Sequence, residues 1–298
     1  MRMQRIFVAL LAILCLAFQV PGLEFEEKAR SEPLVEVSEG ILYKHLTLSE
    51  PRPLNIFIAR IDLENTSMHI EGTPRDELWG QPMPDYPSLT VRTRRVTTTQ
   101  FIKDRRAEGH PVQLAINACA WSPWTAPYNH KYATGMGLVV TNGVLVSEAN
   151  SNPSLVIYND GRAVIEDSPG SVDLAKISFA LGGFAGNRLV KDGIPQAFGN
   201  DCHPRTCIGL SASGRFLYIL AVDGRNKGNS EGATLTELGQ WLHIIGAENG
   251  INLDGGGSTT FAIWNNDTNK PEKLNLMTCG EYCRPVGCSI GFWSEAHP

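Results

Sequence analysis

After residue 18 the chain contains no apolar run long enough to span a bilayer, and it has no block of basic residues anywhere. Its 26 Lys and Arg stand against 31 Asp and Glu, a formal net charge of −5. That balance lacks the electrostatic footprint of a phosphate-backbone binder, so no nucleic-acid partner is expected. Internal repeats and low-complexity linkers are also missing. So are a P-loop, a dinucleotide Gly-x-Gly-x-x-Gly after a strand, His-Glu-x-x-His and Gly-x-Ser-x-Gly. Nucleotide enzymes and zinc proteases are thereby set aside, and the reading calls for no cofactor and no metal.

What is present is 298 residues with 42% hydrophobic and 19% charged side chains, ample for a buried core and too mixed for disorder. The 29 Gly and 18 Pro point to many turns rather than long helices. At the start, Arg2 and Arg5 precede an apolar run over 6–18, and Gln19-Val20-Pro21-Gly22 supplies the helix-breaking residues of a cleavage region. Residues 1–22 therefore read as a signal peptide, which predicts a secreted or periplasmic protein with no stable membrane span after cleavage. Residues 23–36, charged and interrupted by proline, read as a loose leader to a single domain over 37–298.

Apart from Cys15, six cysteines remain: Cys119, Cys202, Cys207, Cys279, Cys283 and Cys288. An even count in an exported chain reads as three disulfides, with about 15 pairings open. A zinc site built from Cys279, Cys283 and Cys288, or from His203 beside Cys202, is the competing reading, but the spacings match no common zinc motif. Cys202 and Cys207 are close enough in sequence to close a loop that would hold Arg205 in a fixed pose.

From residue 37 the pattern is one of short strands. Residues 54–63 have the near-alternation of a half-buried strand, on which 67–71 are expected to pair back, while 73–89 read as an irregular loop. Asn142-Gly143, Asp160-Gly161, Asp192-Gly193 and Ser213-Gly214 each mark a hairpin turn. Two helices announce themselves by capping boxes, Thr97-x-x-Gln100 and Thr234-x-x-Glu237. Leu235, Leu238, Trp241, Leu242 and Ile245 then form a core-facing stripe. The fold class is α+β, an antiparallel or mixed sheet with two or three packed helices.

Three stretches carry chemistry. In residues 251–261 an apolar strand ends in Asp254, followed by Gly255, Gly256, Gly257 and the hydroxyls of Ser258, Thr259 and Thr260. Consecutive glycines let backbone N–H groups converge on an anion, so this loop suits a phosphate with a carboxylate at its edge. His203-Pro204-Arg205-Thr206 offers a planar fork for bidentate phosphate recognition. Asp223-Gly224-Arg225 closes the strongest apolar strand and places an acid at its end. Asn117 ends the strand over 112–116; taken alone, a buried amide there ties loops together.

The order of these pieces resembles the phosphodiester glycosidase family. The resemblance rests on Asn117, Gly182-Gly183, His203-Pro204-Arg205-Thr206, Asp223-Gly224-Arg225, Thr234-Leu235-Thr236-Glu237-Leu238 and the run from Asn252 through Asp254-Gly255-Gly256-Gly257-Ser258-Thr259-Thr260. Arg284-Pro285-Val286-Gly287 looks like the start of its last strand. It covers roughly residues 37–293; residues 119–130 and the cysteine-rich tail depart from the usual pattern. The resemblance implies hydrolysis of a sugar-1-phosphodiester, of the N-acetylglucosamine-1-phosphodiester kind, to free sugar and phosphomonoester. Asp254 would be the catalytic carboxylate, Asp223 the second candidate and Arg205 the phosphate-neutralising cation. Gly255, Gly256, Gly257, Ser258, Thr259, His203, Asn117 and Asn252 would complete the substrate and phosphate site. Two readings stand beside it: a non-catalytic cell-wall or exopolysaccharide glycan-binding protein, with Trp121, Trp124 and Tyr128 stacking on sugars, and a hydrolase of another polysaccharide phosphate linkage.

Overall fold

Alternation along Leu54–Asp62 sends Ile56 and Ile58 to one face of a strand and Phe57, Ala59 and Ile61 to the other. Both faces are buried, so this strand lies in the middle of a layered domain rather than on its surface. The computed structural model describes residues 22–126, 128–185, 188–276 and 283–295. The expected signal peptide, Gly22 apart, and Cys279 lie outside the described residues.

The central sheet has eight strands in the order Val35–Ser38, Ile41–Leu48, Leu54–Asp62, Phe216–Val222, Arg205–Leu210, Asn249–Asn252, Arg188–Lys191 and Ile194–Pro195. Its inner face packs against two five-stranded sheets. One is centred on Leu114–Asn117 between Phe261–Asn265 and Ser289–Ser294; the other is centred on Ile177–Gly182. Phe57, Ile219, Ile251, Ile116, Phe261, Phe292, Leu155 and Phe179 meet in the shared core. Every strand pairing among the described residues is antiparallel, which makes the fold α+β as expected. The four hairpin turns fall where their Gly-containing dipeptides stand.

Three α-helices cover the outer faces: α1 (Leu23–Ser31), α2 (Thr98–Ala107) and α3 (Leu235–Ile244). Thr234 Oγ1 accepts from the Glu237 N–H at 3.1 Å while the Glu237 carboxylate accepts from the Thr234 N–H at 2.8 Å, a complete capping box. At α2 only half of the box forms. Thr97 Oγ1 accepts from the Gln100 N–H, and the Gln100 side chain donates onward to Asp104.

Three sequence expectations are corrected. Residues 23–36 are not a loose leader: α1 buries Phe25, whose ring stacks on Trp241 with centroids 5.0 Å apart. Lys44 Nζ donates to the Ala29 and Glu32 carbonyls, and the Glu24 carboxylate accepts the Ser49 and Glu50 N–H groups. Burying one such aromatic contributes about 1.5–3 kcal/mol, to which these polar contacts add in holding a nine-residue helix that is charged elsewhere. Likewise Met68–Gly72 pairs with Ser289–Ser294 rather than with Leu54–Asp62, and 82–90 form a small hairpin inside the expected loop. Among the described residues no helix is long and apolar enough to cross a membrane.

Candidate active site

Antiparallel register explains why motifs scattered through the sequence meet. Arg205 pairs with Val222, and Cys207 pairs with Asn252. The start of one strand and the ends of its two neighbours thus lie on a single sheet edge. His203-Pro204-Arg205, Asp223-Gly224-Arg225 and Leu253 to Gly257 are delivered there together. Pro204 is the joint between two of them: its carbonyl accepts the Gly256 N–H at 2.8 Å, and a Cβ on Gly255 would stand 2.7 Å from that same oxygen. Only glycine allows this approach, and Gly256 also has φ +61.

On this edge lies a cleft of about 440 Å³, lined by Ala120, Trp121, Trp124, Met136, Phe184, His203, Arg205, Arg225, Leu253, Asp254, Gly255–Gly257 and Arg284. Asp254 is the one carboxylate in that lining. Its side chain is 9% exposed, and burial pushes its pKa up to about 6. The Gly255 N–H donates to Oδ1 at 2.9 Å, and Ser258, Arg284 and Trp121 oppose the rise without reversing it. Oδ2 makes no hydrogen bond of good geometry, while Ser258 and Trp121, whose own polar atoms are likewise unpaired, lie near enough to the carboxylate to favour its charged form. A buried carboxylate on a cleft, with its pKa raised toward neutrality, is suited to taking up a proton there.

The cationic wall holds Arg205, Arg225 and Arg284. Arg205 is pinned: Nε donates to the Ala233 carbonyl at 3.2 Å and Nη2 to the Asp201 carbonyl at 3.0 Å. Burial lowers its pKa. Burial, then Arg205 and Arg225, also lower the pKa of His203, which favours the neutral imidazole. Arg284 lies over Trp124 at 4.8 Å and Tyr128 at 5.4 Å, joining the charged wall to an aromatic one.

Of the residues expected in the site, Asp254, Gly255, Gly256, Gly257, His203 and Arg205 line the cleft; the others do not. Asp223 is buried, and its carboxylate accepts from Asn275 Nδ2 and the Leu276 N–H, both at 2.9 Å. It ties the end of its strand to the 275–276 loop and is not part of the cleft lining, and burial pushes its pKa up. Asn117 is fully buried and bonds to the Asp254 carbonyl, Thr206 and Thr260. Asn252, Ser258 and Thr259 point inward, the last two because the 3-10 turn at Gly256–Ser258 rolls them into the core. The anion nest is largely spent as well, since the Gly255 N–H serves Asp254 and the Gly256 N–H serves Pro204.

Nor does Cys202 join Cys207. Among the described residues no disulfide forms, and Cys207 packs in the core beside Leu220 and Val222 while Cys202 Sγ faces the Asn200 carbonyl. Cys119 and Cys288 lie side by side, and their mutual hydrogen bond and burial push the Cys119 thiol up. Arg225, Arg284, Phe184 and Met136 were not assigned to the site from sequence. The first two stand in the Asp223-Gly224-Arg225 and Arg284-Pro285-Val286-Gly287 motifs, but only the folded chain brings them to the cleft that holds Asp254.

A family model described as phosphodiester glycosidase matches residues 112–293. No curated protein matches the chain by sequence. Among solved structures, a hypothetical protein from Synechocystis superposes with a TM-score of 0.62 at 14% identity, covering 90% of this chain; the chain spans 65% of that protein. The zebrafish N-acetylglucosamine-1-phosphodiester alpha-N-acetylglucosaminidase catalytic domain, auto-inhibited by its pro-peptide, gives 0.59 at 17% identity, covering 86% of this chain and 82% of that one. A Burkholderia pseudomallei protein described as exported gives 0.57 at 12% identity, covering 80% and 74%. At these identities the three neighbours establish the shared fold.

Proposed function

The chain belongs to the phosphodiester glycosidase family, and from that premise we propose that it hydrolyses a sugar-1-phosphodiester to free sugar and a phosphomonoester. The observation that carries this reading is the Asp254 carboxyl, buried on a cleft that Arg205, Arg225 and Arg284 also line. Water adds to the anomeric carbon as the bond from that carbon to the phosphate oxygen breaks. The electron pair departs on the phosphate, and the proton of the water passes to the Asp254 carboxylate. A phosphomonoester is a far better leaving group than a sugar alcohol, so no strong acid is required. A base with a pKa of about 6 is matched to neutral pH. Guanidinium groups on the same cleft neutralise the leaving charge.

Trp124, exposed and backed by the buried Trp121, supplies the apolar surface that a sugar face stacks on. A glycan-binding role without catalysis would use that wall, but it would have no use for a buried, partly unpaired carboxylate that costs stability. The zebrafish neighbour acts on an N-acetylglucosamine-1-phosphodiester, which makes that class the first substrate to test. Site of action outside the cytoplasm fits the N-terminal segment and the exported Burkholderia neighbour. The test is incubation of the purified chain with a panel of sugar-1-phosphodiesters, including polysaccharide phosphate linkages, followed by assay of free sugar. Release of reducing sugar from at least one supports hydrolysis; retention of every substrate intact, with binding of glycans, supports the binding role.

A further inference from the structure

Resting on the glycosidase reading, we propose that Arg225, and not Arg205, provides the two-pronged contact to the substrate phosphate. Two candidate anion receptors are already occupied. The Gly255 and Gly256 N–H groups donate within the protein. The Nε and Nη2 edge of Arg205, the edge that grips an oxyanion side-on, donates to the Ala233 and Asp201 carbonyls. Arg205 is therefore a brace between two loops, with its charge felt in the cleft but its side-on edge turned to backbone.

Arg225 differs in each respect. It is solvent-exposed and lines the cleft. Its side-chain contact is His203, whose Nδ1 lies 3.5 Å from Nη2, and the lowered pKa of that imidazole keeps it from repelling the guanidinium. The guanidinium lies against the glycine turn: a Cβ on Gly256 would stand 3.3 Å from both Nη1 and Nη2. Glycine at that position leaves room for the guanidinium beside Asp254. The backbone of Arg225 is also in the left-handed region, with φ +59. A long side chain is disfavoured there, and such conformations gather where a side chain must be aimed for function. Asn, which tolerates this φ, would relieve the backbone while removing the fork.

The experiment is a titration with methyl phosphate, followed by 31P NMR, alongside thermal melts and turnover of an N-acetylglucosamine-1-phosphodiester. Arg225→Asn is expected to weaken methyl phosphate binding about ten- to a hundred-fold, the loss of a charge-assisted contact, with Tm unchanged or higher. Arg225→Lys keeps the backbone conformation and the charge, so it controls for folding; it is expected to recover only part of the binding. Arg205→Lys is expected to lower Tm, because it breaks the brace to the Ala233 and Asp201 carbonyls, and to weaken methyl phosphate binding less than Arg225→Asn does. Wild-type binding in Arg225→Asn, or lost binding at unchanged Tm in Arg205→Lys, overturns the assignment. A wild-type protein that binds methyl phosphate through Arg225 but releases no sugar would leave this contact standing and overturn the glycosidase reading instead. No binding by the wild type overturns the contact directly.

Discussion

Asn117 donates its side-chain amide to the backbone carbonyl of Asp254 across a 2.6 Å hydrogen bond, 137 residues away in sequence. Its Oδ1 accepts from Thr206 Oγ1 at 2.7 Å and from the Thr260 N–H at 3.0 Å. One buried side chain thus fixes the backbone on which the carboxylate is mounted and the strand that carries Arg205. Asn117→Ala strands the Thr260 N–H and the Thr206 hydroxyl, both buried. A loss of about 2–4 kcal/mol in denaturant unfolding is expected, with a fall in turnover larger than the change in substrate affinity. Wild-type stability would contradict this role.

Asp254 carries a stability cost that its function explains. Its folded pKa of about 6 lies above that of an unfolded Asp. Stability from this group is full below the unfolded value and falls as pH rises through about 4 to 6. Asp254→Asn removes the buried charge and keeps the acceptor for the Gly255 N–H. The variant is therefore expected to be more stable than the wild type at pH 8, by on the order of 2–3 kcal/mol, and similar to it at about pH 3.5. Melts at the two pH values check this; equal destabilisation at both would contradict it. Because the carboxylate form is the working form, wild-type kcat/KM is expected to fall as pH drops below about 6.

Glu237 belongs to a helix cap and not to the cleft. Its carboxylate holds the Thr234 N–H and pairs with Arg52. Glu237→Gln keeps the box but loses the charge pair, so a cost of about 0.5–1 kcal/mol and near-normal turnover are expected. A folded variant without activity would place the catalytic acid on α3 instead.

Thiol labelling separates the two environments of the cysteines. Among the described cysteines Cys202 and Cys283 are half-buried, whereas Cys119, Cys207 and Cys288 are buried. An alkylating reagent is expected to modify Cys202 in the native protein and the three buried cysteines only after denaturation. Recovery of a Cys202–Cys207 cross-linked peptide from unreduced protein would contradict the structure.

The elements were legible wherever a local cause sets them. Alternation gave Leu54–Asp62, dipeptides such as Asn142-Gly143 gave the hairpins, and the Thr234 box gave α3. What stayed hidden depends on distant partners. Phe25 is one aromatic in a charged stretch, and only Trp241 makes it a core residue. Met68–Gly72 has no local signal that distinguishes a neighbouring strand from one more than two hundred residues away. In the site, Asp254 and the glycines were visible as a composition. The direction of each side chain was not: Asp223 ends a strand as Arg225 follows it, yet one turns to Asn275 and the other to the cleft.

The bond that breaks is the most direct test of the reaction. Hydrolysis of an N-acetylglucosamine-1-phosphodiester in 18O-labelled water distinguishes attack at the anomeric carbon from attack at phosphorus. With Asp254 delivering water to the sugar, mass spectrometry of early products should find the label in N-acetylglucosamine and none in the phosphomonoester, and Asp254→Asn should form neither product. Label in the phosphate, or undiminished turnover by Asp254→Asn, would contradict glycosidic cleavage by this carboxylate.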